Sequence, residues 1–104
     1  RGCSHMITLS QVKEWLRIDE DNDMDDNLLN SLIAVSESDI EMGTSVNKEY
    51  INNCDDEVLK NLYLMAQRII ITNRFNEKSV EDKAETSYML KIEARYKVLE
   101  GYAN

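Results

Sequence analysis

The chain contains no proline and only three glycines among its 104 residues. These two residue types normally mark the ends of strands and the tight turns between them. Apolar residues instead recur three and four positions apart, which is the spacing of one face of a helix. We therefore predict an all-α fold, a small bundle of about four helices joined by short loops.

The first five residues, "RGCSH", look like the scar of a cleaved purification tag, so we expect a single helical domain over residues 6–104. About a hundred residues suffice for one domain with a modest core. Without residues 1–5, 11 Lys and Arg face 20 Asp and Glu, a net charge of about −9. Such acidity argues against binding to the phosphate backbone of DNA.

The expected domain has no histidine and one cysteine, Cys54. Histidine-dependent catalysis and the usual zinc sites are thereby excluded, and we predict no enzyme, no catalytic residue, no metal and no cofactor. A lone cysteine cannot form an internal disulfide, which favours a reducing, cytoplasmic setting. No apolar run approaches the roughly 20 residues of a membrane span.

Capping signals predict where the first two helices begin. Thr8 and Gln11 fit a capping box, and we expect a second helix with Asp25 as its N-cap, Met24 stapled to Leu29 and Gly43 just past its end. Lys13, Glu14 and Arg17 should point to solvent. The predicted apolar faces are Leu9, Val12, Trp15 and Leu16 in the first helix, and Leu28, Leu29, Leu32, Ile33, Val35 and Ile40 in the second.

Residues 44–52 are predicted to form a loop or a short irregular turn, after which Asn53 or Asp55 caps a third helix that ends between Asn73 and Asn76. A fourth helix should open at residues 79–82 and reach Gly101. The predicted apolar faces are Val58, Leu59, Leu62, Tyr63, Ala66, Ile69 and Ile70 in the third helix, and Tyr88, Met89, Ile92, Tyr96 and Leu99 in the fourth.

The acidic stretch "RIDEDNDMDDN" invites comparison with a calcium loop, because Asp19, Asp21 and Asp23 take the first, third and fifth positions of that pattern. However, Met24 stands where the loop needs glycine and Asn30 where it needs glutamate. A solvated turn that ends in a helix cap is the better interpretation.

Three further features have two interpretations each. Trp15 could stack on a ligand or contribute to an interface, but its place on an apolar stripe favours the core. The segment "RIIITNRF" could form an aggregating strand, yet its helical period favours a buried helix end. Arg68, Arg74 and Lys78 could grip a phosphate, although cations on an acidic chain are usually paired at the surface.

The last helix is unusually aromatic, with Tyr88, Tyr96 and Tyr102. Tyrosine serves a helix that packs on its own domain equally well as one that docks on another subunit. Both interpretations stay open here, and the candidate interface residues are Tyr96, Leu99 and Tyr102.

Residues 6 to about 76 resemble the phage head-tail connector, or DNA-packaging, family of small helical proteins. The resemblance rests on Lys13, the run Leu16-Arg17-Ile18-Asp19, the acids through Asp26 and the pair Gly43-Thr44. Further matches are Leu9, Leu28, Leu29, Leu32, Ile33 and the Asn73-Arg74 ending. The C-terminal part departs from the family's pattern, because members commonly close with a proline-containing segment.

The resemblance implies a structural protein of phages or prophages. Copies would oligomerise into a ring under the portal, extend the DNA channel and join head to tail. The partners would be other copies of the chain, the portal and head-completion or tail proteins, while genome DNA passes without specific binding and no membrane is involved. The chain would reside in the virion, and in the host cytoplasm during assembly.

Two other functions remain as alternatives. A small acidic helical module could bind a basic partner or act as a regulator, for example as a DNA mimic. A metal hydrolase built from carboxylates alone is a more distant possibility, since it would need acids from several helices to converge.

Overall fold

Five helices make up the part of the chain that the computed structural model describes, residues 7–76 and 83–101. They are α1 (Leu9–Leu16), α2 (Asp26–Thr44), α3 (Lys48–Asn53), α4 (Glu57–Phe75) and α5 (Lys83–Leu99). Four of them have eight or more residues and α3 has six, so the all-α prediction of about four helices is confirmed. The predicted opening of the last helix at residues 79–82 lies outside the described residues.

The start of α1 is held by the predicted capping box. The Gln11 backbone N–H donates to the Thr8 hydroxyl over 3.1 Å, and the Thr8 N–H donates to the Gln11 side-chain oxygen over 2.9 Å. The helix ends at Leu16 because Arg17 turns left-handed, with a φ of 61°. This short helix is therefore defined by local signals at its N-terminus.

Lys13 is buried, which makes its predicted solvent position wrong. Only 4% of the residue is exposed. Its ammonium group lies 2.9 Å from an Asp26 carboxylate oxygen and donates to the Glu20 carbonyl over 3.1 Å. The helix can bury this lysine because the acidic turn that follows folds back over it and satisfies the charge.

The beginning of α2 follows the prediction only in part. Asp25 is the N-cap residue, but its side chain makes no capping hydrogen bond. The predicted staple is wrong, because Met24 is 86% exposed while Leu29 is fully buried. The Met24 N–H donates to the Asn22 side chain over 3.0 Å, and this turn directs Met24 away from the core.

The end of α2 lies beyond Gly43, contrary to the prediction that this glycine terminates the helix. The helix continues to Thr44, and Ser45 takes the left-handed conformation with a φ of 68°. A Cβ added to Gly43 would lie 2.6 Å from the Met89 sulfur. Gly43 is thus the place where α5 approaches α2 closely, and not a helix stop.

The predicted loop over residues 44–52 contains α3, so this prediction is wrong for most of its length. The Asn47 side chain accepts from the Tyr50 N–H over 2.8 Å and starts the helix. The N-cap of α4 is Asp56, whose carboxylate accepts from the Leu59 N–H over 2.8 Å, rather than Asn53 or Asp55. The helix ends at Phe75, within the predicted interval.

The core consists of two clusters that share α2 and α4. The first cluster contains Ile40, Val46, Ile51, Leu59, Tyr63, Ala66, Ile70 and Ile92. The second contains Ile7, Val12, Leu29, Leu32 and Ile71, with Trp15 packed at its edge. Trp15 is therefore a partly buried core residue, as predicted, and "RIIITNRF" is the buried helix end that its period indicated. Of the residues predicted on apolar faces, Leu28, Val35, Val58 and Leu99 are instead exposed.

Contacts between polar side chains join the helices to one another. The Gln67 amide donates to the buried Ser36 hydroxyl over 2.9 Å and joins α4 to α2. The Arg74 guanidinium lies 2.9 Å from Asp39 and 3.5 Å from Glu85. Arg68 lies over the Trp15 ring at 5.7 Å. The surface-pair interpretation is thus confirmed for Arg74, whereas Arg68 contacts an aromatic ring; Lys78 lies outside the described residues.

Candidate interaction surface

The C-terminal end of α5 is held against α3 and the start of α4. Arg95 donates two hydrogen bonds to Asp56, over 2.9 and 2.7 Å. Since Asp56 also caps α4, one carboxylate serves both helices. The hydrogen bonds from the Arg95 guanidinium hold the pKa of Asp56 below its usual value, with the Leu59 N–H acting in the same direction.

Tyr96 faces inward at this end of α5. Its ring meets the Tyr50 ring edge to face, with 5.0 Å between centroids and 77° between planes. The Tyr50 hydroxyl donates to Glu100 over 2.6 Å, and this hydrogen bond, with partial desolvation, raises the pKa of Tyr50 to about 12. An open depression of about 310 Å³ lies beside the two rings. Tyr96 is therefore partly buried and packs on the first cluster.

Leu99, the last residue of α5, is 37% exposed. The third candidate, Tyr102, lies outside the described residues. The structure thus places Tyr96 and Leu99 on the same end of one helix, one packed inward and the other partly open to solvent. Tyr96 therefore anchors the end of the helix to the core, and Leu99 lies partly at the surface, where it is available for contact with another protein.

The outer face of α2 is an exposed surface that the sequence analysis missed. Leu28, Val35 and Met42 follow at intervals of seven residues and are 48%, 39% and 82% exposed. Ser31 and Ser38 fill the positions between them. Among the ten exposed residues of α2, Glu41 alone is charged. We call the five residues Leu28, Ser31, Val35, Ser38 and Met42 the α2 stripe. The recurrence of an apolar residue every seven positions was the sequence signal that could have revealed this surface.

The outer face of α5 carries a second exposed apolar row. Leu90 and Val98 are 61% and 58% exposed, and the small residue Ala94 lies between them at helical spacing. Three exposed lysines accompany the row, Lys83, Lys91 and Lys97. We call these six residues the α5 stripe. It is a cationic and apolar surface on a strongly acidic chain.

No group of three or more His, Cys, Asp or Glu side chains within residues 7–76 and 83–101 comes together in a way that could hold a metal ion. The acidic turn instead makes internal contacts, such as the hydrogen bond of 2.8 Å from the Ser10 hydroxyl to Glu20. None of the described helices is long and apolar enough to cross a membrane.

A family model for phage gp6-like head-tail connector proteins matches residues 6–102. The chain belongs to this connector family. Neither the curated proteins nor the solved structures include a match to it. The resemblance found in the sequence analysis ended near residue 76, whereas the family model extends through α5. The sequence pattern of the family therefore includes the C-terminal helix.

Membership assigns the chain a structural role as a phage connector, in a family that is not known for enzymatic activity. A connector implies contact with other head and tail proteins, at the junction between the two parts of the virion. The surfaces described above are therefore candidates for contacts between proteins.

Proposed function

We propose that copies of this connector assemble into a closed ring under the portal, extend the DNA channel and join the head to the tail. Family membership together with the exposed α2 stripe supports this proposal most strongly. An exposed helix face that is apolar and almost uncharged is uncommon on a monomer, and it suits a contact between subunits. A ring forms when two different surfaces of neighbouring copies meet through a rotation that closes.

The acidity of the chain is compatible with a channel. Its formal net charge is −8, and a negative wall lowers nonspecific affinity for DNA, where a basic wall would retain the strand. Genome DNA would therefore pass without specific binding. The role needs no cofactor and no active site, and it places the chain in the host cytoplasm during assembly and in the virion afterwards.

The end of α5 is the proposed contact with a neighbouring subunit or with the portal, through Tyr96, Leu99 and Tyr102. Partial exposure of Leu99 beside the anchored Tyr96 supports this assignment. Deletion of residues 94–104 should abolish the association, but it would also remove Arg95 and its bonds to Asp56. Leu99→Asp is a cleaner variant, because it adds a charge at the exposed site and leaves the Arg95 pair intact.

Electron microscopy of the protein mixed with the portal protein of the same phage tests the proposal. We expect a ring of connector density on the portal with the unaltered chain, and weaker or absent density with Leu99→Asp. The exposed position Asn61→Asp on α4 is the matched control and should behave as the unaltered chain does. A chain that neither forms rings nor binds the portal would contradict the proposed function, and strongly salt-sensitive binding of a small basic partner would favour a DNA mimic instead.

A further inference from the structure

We propose that the α2 stripe of one copy packs against the α5 stripe of the neighbouring copy. This inference rests on the proposed ring and identifies the two surfaces that form its repeating contact. Both stripes are open to solvent in the isolated chain, with Met42 82% and Leu90 61% exposed. Neither stripe is therefore covered by the other within one copy.

The shapes of the two stripes allow close contact between helices. The α2 stripe alternates Leu28, Val35 and Met42 with Ser31 and Ser38, and the α5 stripe places Ala94 between Leu90 and Val98. Small residues between larger apolar ones let helix axes approach to about 8–10 Å with side chains interlocked. A helix face of this composition fits another helix better than it fits a small molecule.

The lengths of the two stripes also agree. Leu28 and Met42 are separated by fourteen positions along α2, and Lys83 and Val98 are separated by fifteen positions along α5. At a rise of about 1.5 Å per residue, each stripe extends roughly 21 Å. One stripe could therefore lie along the other over its full length.

Complementary charges favour the α5 stripe as the partner of the α2 stripe. The α2 stripe has acids at both ends, with the exposed Asp21 and Asp23 before the helix and Glu41 near its end. The α5 stripe contributes the lysines. Two α2 stripes facing each other would bring these acids together, whereas an α5 stripe brings cations to them.

The pairing joins two different surfaces, so a bound pair of copies keeps one free α2 stripe and one free α5 stripe. A contact of this kind continues from copy to copy until the ring closes. By contrast, a contact between two identical stripes would stop at a dimer. The proposed pairing thus supplies the type of interface that a connector ring requires.

Cysteine cross-linking between two variants tests the inference. In a Cys3→Ser, Cys54→Ser background, one protein carries Val35→Cys and the other Leu90→Cys, because these two residues lie at the midpoints of the two stripes, and the two proteins are mixed, assembled and oxidised. We expect cross-linked pairs that contain one of each variant, and few pairs of either variant with itself. Rings that yield no mixed pair, or mainly Val35→Cys pairs, would overturn this inference while leaving the proposed ring intact. Failure to form any ring would instead contradict the proposed function itself, together with this inference.

A charge placed in the stripe gives an independent measurement. Val35→Lys should raise the concentration needed for half assembly about tenfold or more, because it places a cation in the contact opposite the lysines of the α5 stripe. Asn61→Lys, at an exposed site on α4 outside both stripes, is the control and should leave assembly unchanged. Circular dichroism should show the same helix content for both variants. Equal assembly of both variants would overturn the inference.

Discussion

Single charged residues tie the ends of helices to their neighbours in this molecule. Lys13 joins α1 to the acidic turn and the start of α2 through Glu20 and Asp26. Asp56 caps α4 and at the same time receives Arg95 from α5. In both cases a carboxylate near the start of a helix meets a cation from another helix, where the helix dipole also favours negative charge.

Asp56 should make the stability of the chain depend on acid pH. Its pKa is lowered in the folded chain, so the stability that it contributes is present above the ordinary carboxyl pKa and is lost as the pH falls through the lowered value. Asp56→Ser keeps a capping oxygen but removes the charge. We expect this variant to unfold more readily than the unaltered chain at pH 7, with the difference shrinking below about pH 4.

Urea unfolding followed by circular dichroism across this pH range measures the effect. Asp56→Ala is the companion variant and should cost about 1 kcal/mol more than Asp56→Ser, because it also removes the cap. A difference between Asp56→Ser and the unaltered chain that stays constant down to pH 2 would show that the carboxylate charge contributes nothing.

At the level of helices, the sequence predicted best the features that depend on neighbours in the chain. The capping box at Thr8 and the end of α4 near Phe75 are set by local hydrogen bonds and by the apolar period, and both were predicted. Exposure of Leu28 and burial of Lys13 depend on which helix lies opposite, and both were predicted wrongly. A helical period shows that a residue lies on a face, but not which face meets a partner.

The candidate interaction surface was likewise predicted only where it depends on the local sequence, and not where it depends on tertiary packing. The aromatic content of α5 drew attention to Tyr96, which the structure places against Tyr50. The α2 stripe was overlooked because Leu28 and Val35 were assigned to the core together with Leu29 and Leu32. A helix with apolar residues on two sides leaves that choice to tertiary packing.

Gly43 gives a prediction about how α2 and α5 fit together. Alanine normally stabilises a helix interior by about 1 kcal/mol relative to glycine, but here its methyl group would collide with the Met89 sulfur. Gly43→Ala should therefore gain about 1 kcal/mol in a Met89→Ala background and clearly less with Met89 present. A double-mutant cycle from urea unfolding measures the coupling, and additivity within about 0.3 kcal/mol would show, contrary to the prediction, that the flexible end of Met89 moves aside without cost.

The part of the molecule that the structure describes is a thin body, 47 × 37 × 17 Å along its principal axes. Since a single helix with its side chains is about 10–12 Å across, few residues can be far from solvent. This thinness is consistent with the open outer faces of α2 and α5. In the proposed ring, neighbouring copies would cover those faces.

Although thin, residues 6–104 should unfold as one unit. Ile70 and Ile71 are neighbours on α4, yet one belongs to the first cluster and the other to the second. A change in either cluster is therefore transmitted through α4 and α2. Ile71→Ala should lower the free energy of unfolding by about 3 kcal/mol and keep a single transition, with calorimetric and van't Hoff enthalpies in agreement. Two separate transitions would indicate two domains.

Because Trp15 and the described tyrosines lie at different clusters, the intrinsic fluorescence and absorption of the chain distinguish the two clusters. Trp15 lies against the second cluster, while Tyr50, Tyr63, Tyr88 and Tyr96 all lie in or against the first. Tryptophan emission, excited selectively at the red edge of absorption, therefore reports on the packing of α1, and tyrosine absorption reports on the opposite half. Assembly could be followed at both ends of the molecule at once, without an attached dye.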